Sequence, residues 1–250
     1  FFRKIRYNLM EQNKTGKYLK YAIGEIILVV IGILIALQIN NWNNKNIERS
    51  QSTEFNQRLL QEVNGNIALV TNKIESMENM INSSKRILEL FNEKLNDSNL
   101  KSLDSLIYIT IAGVDVKFRT GTLNEGLNTG KVSFINSDIL KSKLYGLLSN
   151  IEYVGEMDET ISTYNTEILQ PFLYKNFNYR RMDNLYSGYD LGVTKFKNQH
   201  NELLLENEQF ENLIDNYFYQ SNAQKLRHTN LKNEYEEIKK LIETELQTKK

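Results

Sequence analysis

Apolar residues follow two different patterns along this chain. An unbroken apolar run, YAIGEIILVVIGILIALQI, fills residues 21–39, and every later stretch mixes apolar with polar positions. The run has about the ~20 residues that a helix needs to cross a ~30 Å hydrocarbon layer. The pattern therefore predicts a transmembrane helix at 21–39, between a basic segment at 1–20 and a large polar domain at 40–250.

The polar domain shows helical periodicity in three stretches, which predict long helices at about 45–95, 137–170 and 208–247. Asn136 or Ser137 is the expected N-cap of the second helix, which should end near Pro171. Each helix has an apolar stripe, meaning residues spaced alternately by three and four. The first stripe is Leu60, Val63, Ile67, Val70, Ile74, Met77, Ile81, Leu88, Phe91 and Leu95; the second is Leu140, Leu144, Leu147, Ile151, Val154, Ile161 and Ile168; the third is Phe210, Ile214, Tyr217, Leu231, Tyr235, Ile238 and Ile242, with Ser221, Gln224 and His228 as polar members.

The shorter segments complete the predicted fold. Residues 100–112 favour a helix over a strand, residues 114–118 alternate as a short strand does, and residues 174–197 read as a structured connection. Three long amphipathic helices must bury their stripes against one another or against a second copy. The expected class is all-α, with the transmembrane helix continuing into an elongated antiparallel helical bundle or coiled-coil-like domain.

Charge predicts the orientation of the span. Residues 1–20 contain one acidic residue, Glu11, and their basic residues should stay in the cytoplasm, which places the domain at 40–250 in the periplasm. Trp42 follows the run as an expected interfacial anchor.

The run is longer than the ~7–15 apolar residues of a signal peptide, and no small-residue cleavage site follows Ala36. We therefore expect an uncleaved, single-pass anchor in the inner membrane. The basic residues are Arg3, Lys4, Arg6, Lys14, Lys17 and Lys20.

One face of the apolar run carries small residues and an acid. Glu25, Val29, Gly32 and Ala36 fall at i, i+4, i+7 and i+11 of a helix. Small residues let helices approach closely in lipid, and an ionisable group prefers a protected interface. This face is predicted to contact a partner helix. The alternatives are that Glu25 reaches the near headgroups or is protonated, or that it couples to protons or ions.

Composition removes several classes of chemistry. The chain has no cysteine and a formal net charge of zero, which excludes disulfides and thiol catalysis. The large domain is slightly acidic, so no nucleic-acid partner is expected. His200 and His228 lie far apart and predict no zinc site. The segment GTLNEGLNTGKVS lacks the spacing of a phosphate loop, and Gly130 reads instead as a helix C-cap. We therefore expect no catalytic residues, cofactor or metal.

A cluster of aromatic residues near residue 180 has two interpretations. Tyrosine and arginine are enriched at binding surfaces, so the cluster would suit a groove. The rings would equally suit a cap on one end of the bundle. The cluster comprises Phe172, Tyr174, Phe177, Tyr179, Tyr186 and Tyr189, with Arg180 and Arg181.

The segment GKYLKYAIGEIILVVIGILIALQINNWN (16–43) resembles the opening of an uncharacterised family of single-pass envelope proteins of flavobacteria and related Bacteroidota. TLNEGLNTGKVSFINSDIL (122–140) is similar to the family's second motif, with Leu127, Gly130 and Ile135 at matching positions. The segment FENLIDNYF (210–218) is also similar to the family's sequence. The resemblance implies localisation and no activity. It also implies that Asp104-Ser105-Leu106 is a short O-glycosylation sequon, with Ser105 as the modified residue.

Three functional hypotheses follow. The leading one is a non-enzymatic scaffold or accessory subunit of an envelope complex, whose partners are inner-membrane lipid and other envelope proteins or a second copy of the chain. The alternative is a periplasmic sensory or ligand-binding helical bundle that signals through a membrane partner. The third hypothesis is an enzyme, but the sequence contains no recognisable set of catalytic residues.

Overall fold

The computed structural model describes residues 15–94, 96–113, 115–186, 188–192, 194–195 and 201–248. All regular secondary structure in these ranges is helical. The basic residues from Arg3 to Lys14, as well as Leu95 and His200, lie outside the described residues. In chain order the helices are α1 (Thr15–Leu90), α2 (Asp97–Ile111), α3 (Gly121–Asn128), a 3-10 helix (Lys131–Phe134), α4 (Asp138–Tyr164), a π-helical turn (Asn165–Leu169), α5 (Gln170–Asn176), α6 (Tyr179–Tyr186), a 3-10 helix (Asn201–Glu206) and α7 (Glu208–Thr248).

The chain divides into two units, Phe1–Glu54 and Phe55–Lys250. The first contains the apolar run, which α1 carries in helical form as predicted. Among the described residues, α1 is the only helix long and apolar enough to cross a membrane, and none of its most apolar stretch is buried. The predicted helix at 100–112 is confirmed by α2.

The third stripe is confirmed in full by α7. All seven of its predicted apolar positions are buried, and so are its three polar members Ser221, Gln224 and His228. The stripe continues for one more turn to Glu245, which is also buried. The regular spacing was sufficient here because α7 is an uninterrupted α-helix.

The second stripe is correct only as far as the π-helical turn. Leu140, Leu144, Leu147 and Val154 are buried, and the Ser137 hydroxyl accepts a hydrogen bond from the Leu140 N–H as the predicted N-cap. Ile168 is 49% exposed, and Leu169 is fully buried in its place. A π-helical turn contains one residue more than an α-helical turn. The side chain that enters the core is therefore one position later than the regular spacing predicts.

The predicted end near Pro171 is wrong, because helix continues through the proline to Asn176. Proline inside an α-helix loses one hydrogen bond and clashes with the carbonyl four residues earlier. The π-helical turn ends at Leu169, two residues before the proline, and the Gln170 N–H reaches back to the Asn165 carbonyl. The α-helical hydrogen-bond pattern is therefore already interrupted where the proline enters the helix.

The first stripe is only partly correct. Val63, Val70, Met77 and Ile81 are buried, whereas the other described members are half-buried. Larger buried side chains lie on the adjacent positions Phe55, Leu59, Ile87 and Leu90. The helix does not break at Gly65, and it ends at Leu90 rather than near residue 95.

The predicted strand at 114–118 is wrong, since residues 115–120 have no regular structure. The side chain of Asn66 replaces a partner strand. Its Oδ1 accepts the Arg119 N–H at 2.9 Å, and its Nδ2 donates to the Arg119 carbonyl at 2.7 Å. One buried amide from α1 therefore satisfies both backbone groups of Arg119, directly after the predicted strand.

Two hydrophobic clusters form the core of the Phe55–Lys250 unit. One cluster contains Ile87, Leu103, Phe172 and Tyr217, and the other contains Phe55, Leu144 and Ile238. Along α7 they are separated by the buried polar residues Ser221, Gln224 and His228. We call these three residues, together with Asp158 of α4, which pairs with Gln224 and His228, the polar layer.

Contacts along α7 give the direction of its neighbours. Lys143 of α4 pairs with Glu237, whereas the later Tyr164 hydroxyl donates to the Leu213 carbonyl. Asn66 of α1 donates to the Tyr235 hydroxyl, and the later Glu78 pairs with Lys225. Within this unit, α7 is therefore antiparallel to both α4 and α1.

Candidate functional site

The predicted face of the apolar run lies on one helix, as its spacing requires. Val29 is 58% exposed, and Gly32 and Ala36 are also exposed. A Cβ added at Gly32 would meet nothing within 4 Å. Glu25 is half-buried, and Trp42 is exposed at the polar end of the run. The face is thus open to an external partner, and its function stays a prediction.

The predicted glycosylation residue lies on α2. Ser105 is half-buried, and the preceding Asp104 is fully buried. Asp104 accepts a hydrogen bond from the Asn201 side chain at 2.7 Å and forms an ion pair with Arg181 at 2.8 Å. An enzyme that reads all three residues of Asp104-Ser105-Leu106 would therefore need access before Asp104 is buried.

The aromatic cluster does not form one surface. Phe172 and Phe177 belong to the hydrophobic core, whereas Tyr174 and Tyr189 are 64% and 71% exposed. Tyr186 stacks on Tyr108 with ring centroids 5.9 Å apart. The buried members favour the interpretation of the rings as a cap on the core.

The polar layer contains a set of side-chain hydrogen bonds centred on Asp158. His228 lies on α7 with its ring fully buried, and its Nε2 is 3.0 and 3.1 Å from the two carboxylate oxygens of Asp158. Gln224, one turn earlier, donates from Nε2 to Asp158 at 2.8 Å and to the Val154 carbonyl at 3.0 Å. Lys73 of α1 places its ammonium 3.9 Å from the same carboxylate. Side chains from two helices, α7 and α1, thus converge on one acid of α4.

These partners determine the charge of Asp158. Burial raises its pKa, but the His228 hydrogen bond, the nearby Lys73 charge and the Gln224 hydrogen bond together hold the pKa below its ordinary value. An ionised Asp158 requires His228 Nε2 to donate. The other ring nitrogen, Nδ1, is buried and has no hydrogen-bond partner.

A cavity of about 380 Å³ lies beside the polar layer. Its walls come from α1, α4, α7, the π-helical turn and the segment after α2. The lining combines apolar side chains with hydroxyl, amide and acidic groups. Its lining residues include Lys73, Met77, Met80, Asp115, Asp158, Glu159, Ile161, Ser162, Asn165, Tyr217 and Ser221. Burial raises the pKa of Tyr217 to about 12, so its hydroxyl stays protonated and can donate.

The His228–Asp158 pair has part of the arrangement of a hydrolytic triad. In a hydrolytic triad one histidine nitrogen faces a carboxylate and the other faces a nucleophile. His228 meets the first condition, but its Nδ1 faces no hydroxyl within hydrogen-bond distance in the described part of the chain. The described residues also contain no group of three or more acidic or histidine side chains placed to hold a metal ion.

Sequence reasoning named Ser221, Gln224 and His228 as polar stripe positions and did not name Asp158 or Lys73. A signal for Asp158 was present: it lies four residues after Val154 and three before Ile161, on the stripe of α4. A charged residue at such a position requires a partner, and polar residues at matching positions of α7 supply it. Lys73 lies outside the apolar stripe of α1, so the spacing of the sequence did not mark it as a residue that faces the core.

No protein-family model matches this chain, and neither a curated protein nor a solved structure is significantly similar to it.

Proposed function

We propose that the protein is a single-pass membrane protein without catalytic activity, which serves as a scaffold or accessory subunit of an envelope complex. The apolar run anchors the chain in the inner membrane with its N-terminus in the cytoplasm. The Phe55–Lys250 unit is then an elongated antiparallel helical bundle in the periplasm that presents surfaces to other envelope proteins.

The exposed apolar run carries this proposal. Between Ile26 and Ile39 every side chain is exposed, including large ones such as Leu34 at 55%. Burial of one leucine or isoleucine side chain is favourable by about 1.5–3 kcal/mol, so a run of this length in water is a large penalty. A bilayer removes that penalty. The resemblance to single-pass Bacteroidota envelope proteins supports the same localisation.

The face of Glu25, Val29, Gly32 and Ala36 supports a partner within the membrane. Its small residues permit close helix approach, and a helix beside it would shelter the Glu25 carboxyl from lipid. The partner is another envelope protein or a second copy of the chain.

The experiment is a protease-accessibility and co-purification assay on the full chain. Protease added to intact spheroplasts should digest residues 40–250, and it should spare them if the domain is cytoplasmic. The detergent-extracted chain should co-purify with specific membrane proteins or with a tagged second copy. Glu25→Leu should reduce that recovery, while Ile33→Leu, which changes neither charge nor the small-residue face, should retain it. Full recovery with Glu25→Leu would contradict the contact.

A further inference from the structure

We propose that the cavity beside the polar layer binds a small organic cation, a primary amine with an apolar body. The cavity lies within the Phe55–Lys250 unit, so this inference does not depend on the membrane anchor or on the scaffold function. Its volume of about 380 Å³ falls in the ~300–1,000 Å³ range of small-molecule sites.

The charge of the lining selects a cation. Asp115, Asp158 and Glu159 contribute three carboxylates, against one ammonium from Lys73. Lys73 lies 3.9 Å from Asp158, so its charge is already directed at one of the acids. Asp115 and Glu159 are exposed at the rim, where the cavity meets solvent. The net negative lining attracts a positively charged ligand and disfavours an anion.

Polar groups of the lining suit a ligand with N–H donors. Ser221 is 1% exposed and lines the cavity, where its side chain is a hydrogen-bond partner of Tyr217. The Asn165 Oδ1 atom, also in the lining, has no hydrogen-bond partner among the described residues. An ammonium group carries three N–H donors, which suits the Asn165 oxygen and the carboxylates of the lining.

The lining also contains apolar side chains, which a bare ion would leave unfilled. Met77 and Met80 of α1 line the cavity together with Ile161 of α4. Methionine side chains adapt to ligands of irregular shape and contact aromatic rings favourably. The acids do not converge into a metal-binding group among the described residues. A ligand with a charged end and an apolar end suits both kinds of lining residue.

The local backbone adds a further indication. Asn165 opens the π-helical turn, and π-turns occur frequently at functional sites because they rotate side chains out of the regular helical phase. Here the turn leaves Asn165 on the cavity wall while the following Leu169 enters the core.

The test is calorimetric titration of the full-length protein in detergent with phenethylamine, 2-phenylethanol and phenylacetate, each corrected for a micelle blank. These probes share one ring and differ in charge. We expect phenethylamine to bind with a Kd at or below about 1 mM, and the alcohol and the carboxylate to bind at least about tenfold more weakly.

Variants locate the site. The pair Asp115→Asn and Glu159→Gln, at exposed rim positions, should weaken phenethylamine binding about tenfold, and Ser221→Ala should weaken it less. Glu152→Gln, an exposed acid on α4 outside the lining, should leave the affinity unchanged. The proposal is overturned if phenethylamine shows no binding heat up to about 10 mM, if the three probes bind equally, or if the rim pair has no effect.

Discussion

Two regions of this molecule use the same residue types in opposite ways. From Ile26 to Ile39 the isoleucine, leucine and valine side chains of α1 are exposed, whereas Leu144, Ile238 and Ile242 of the Phe55–Lys250 unit are fully buried. The folded unit buries these three side chains in its own core. The apolar run has no such cover within the described residues.

The two regions also differ in the polar residues that they contain. The folded unit contains a buried polar layer in which the Asp158 carboxylate has partners in His228 and Gln224. The apolar run contains a single acid, Glu25, between Tyr21 and Ile39. In the polar layer, neighbouring helices supply the hydrogen bonds that compensate the burial of the carboxylate.

The largest effect should come from truncating a core residue. Ile238→Ala removes a fully buried side chain, and we expect it to lower the free energy of unfolding by about 2–5 kcal/mol. Ile35→Ala makes the same change in the apolar run, where the side chain is 55% exposed. Urea unfolding of the full chain in detergent, followed by circular dichroism, should show no shift for Ile35→Ala. Equal shifts of the unfolding midpoint in both variants would contradict the proposed difference between the buried core and the exposed apolar run.

Close packing in the core gives the next effect. A Cβ at Gly126 would lie 2.3 Å from the Phe55 ring, which is itself fully buried. Gly126→Ala should therefore cost about 1–3 kcal/mol through overpacking. Gly146→Ala on α4 meets nothing within 4 Å and should be neutral or stabilising by up to about 1 kcal/mol. The same unfolding assay compares them, and a neutral Gly126→Ala would show that Phe55 can move aside.

The polar layer is tested by removing one partner and then both. Asp158→Leu leaves the His228 and Gln224 donors without their acceptor, and we expect a loss of about 1–3 kcal/mol. The double variant Asp158→Leu with His228→Leu should lose less than the sum of the two single variants. Additive losses in this double-mutant cycle would indicate that the two residues do not interact.

Acid should act on Asp158 and Asp104 with opposite signs. The pKa of Asp158 is lowered from 3.8, so its stabilising contribution is complete above that pH and is lost as pH falls through the lower folded-state pKa. Burial raises the pKa of Asp104 from 3.8, so protonation there favours the folded state. Asp158→Asn should make the loss of stability between about pH 5 and pH 2 shallower, and Asp104→Asn should make it steeper. Urea midpoints across this range measure both slopes, and identical slopes would contradict the assignment.

The accuracy of the sequence predictions depended on helical regularity. In α7 the three-and-four spacing identified every buried position from Phe210 to Ile242 except Leu213, including polar ones, because no irregular turn interrupts the phase. In α4 the same rule placed Ile168 inward, and the π-helical turn moved that role to Leu169. A change of helical phase is set by packing around Pro171 and has no periodic signal of its own.

The candidate site was less accessible to sequence reasoning for a related reason. The cavity is formed by side chains from five segments that are distant in sequence, such as Met77, Asp115 and Ser221. The spacing within each helix identifies which face is buried but not where facing surfaces leave a gap. The predicted strand at 114–118 failed similarly, because its backbone partner is the Asn66 side chain from another element.

The membrane anchor is tested most directly by alkaline carbonate extraction of membranes from cells that produce the full chain, followed by N-terminal sequencing of the recovered protein. Insertion of residues 21–39 as a permanent helix predicts that the chain remains in the membrane pellet with this segment intact. Release of the chain into the supernatant, or a mature N-terminus that begins after Ala36, would contradict it.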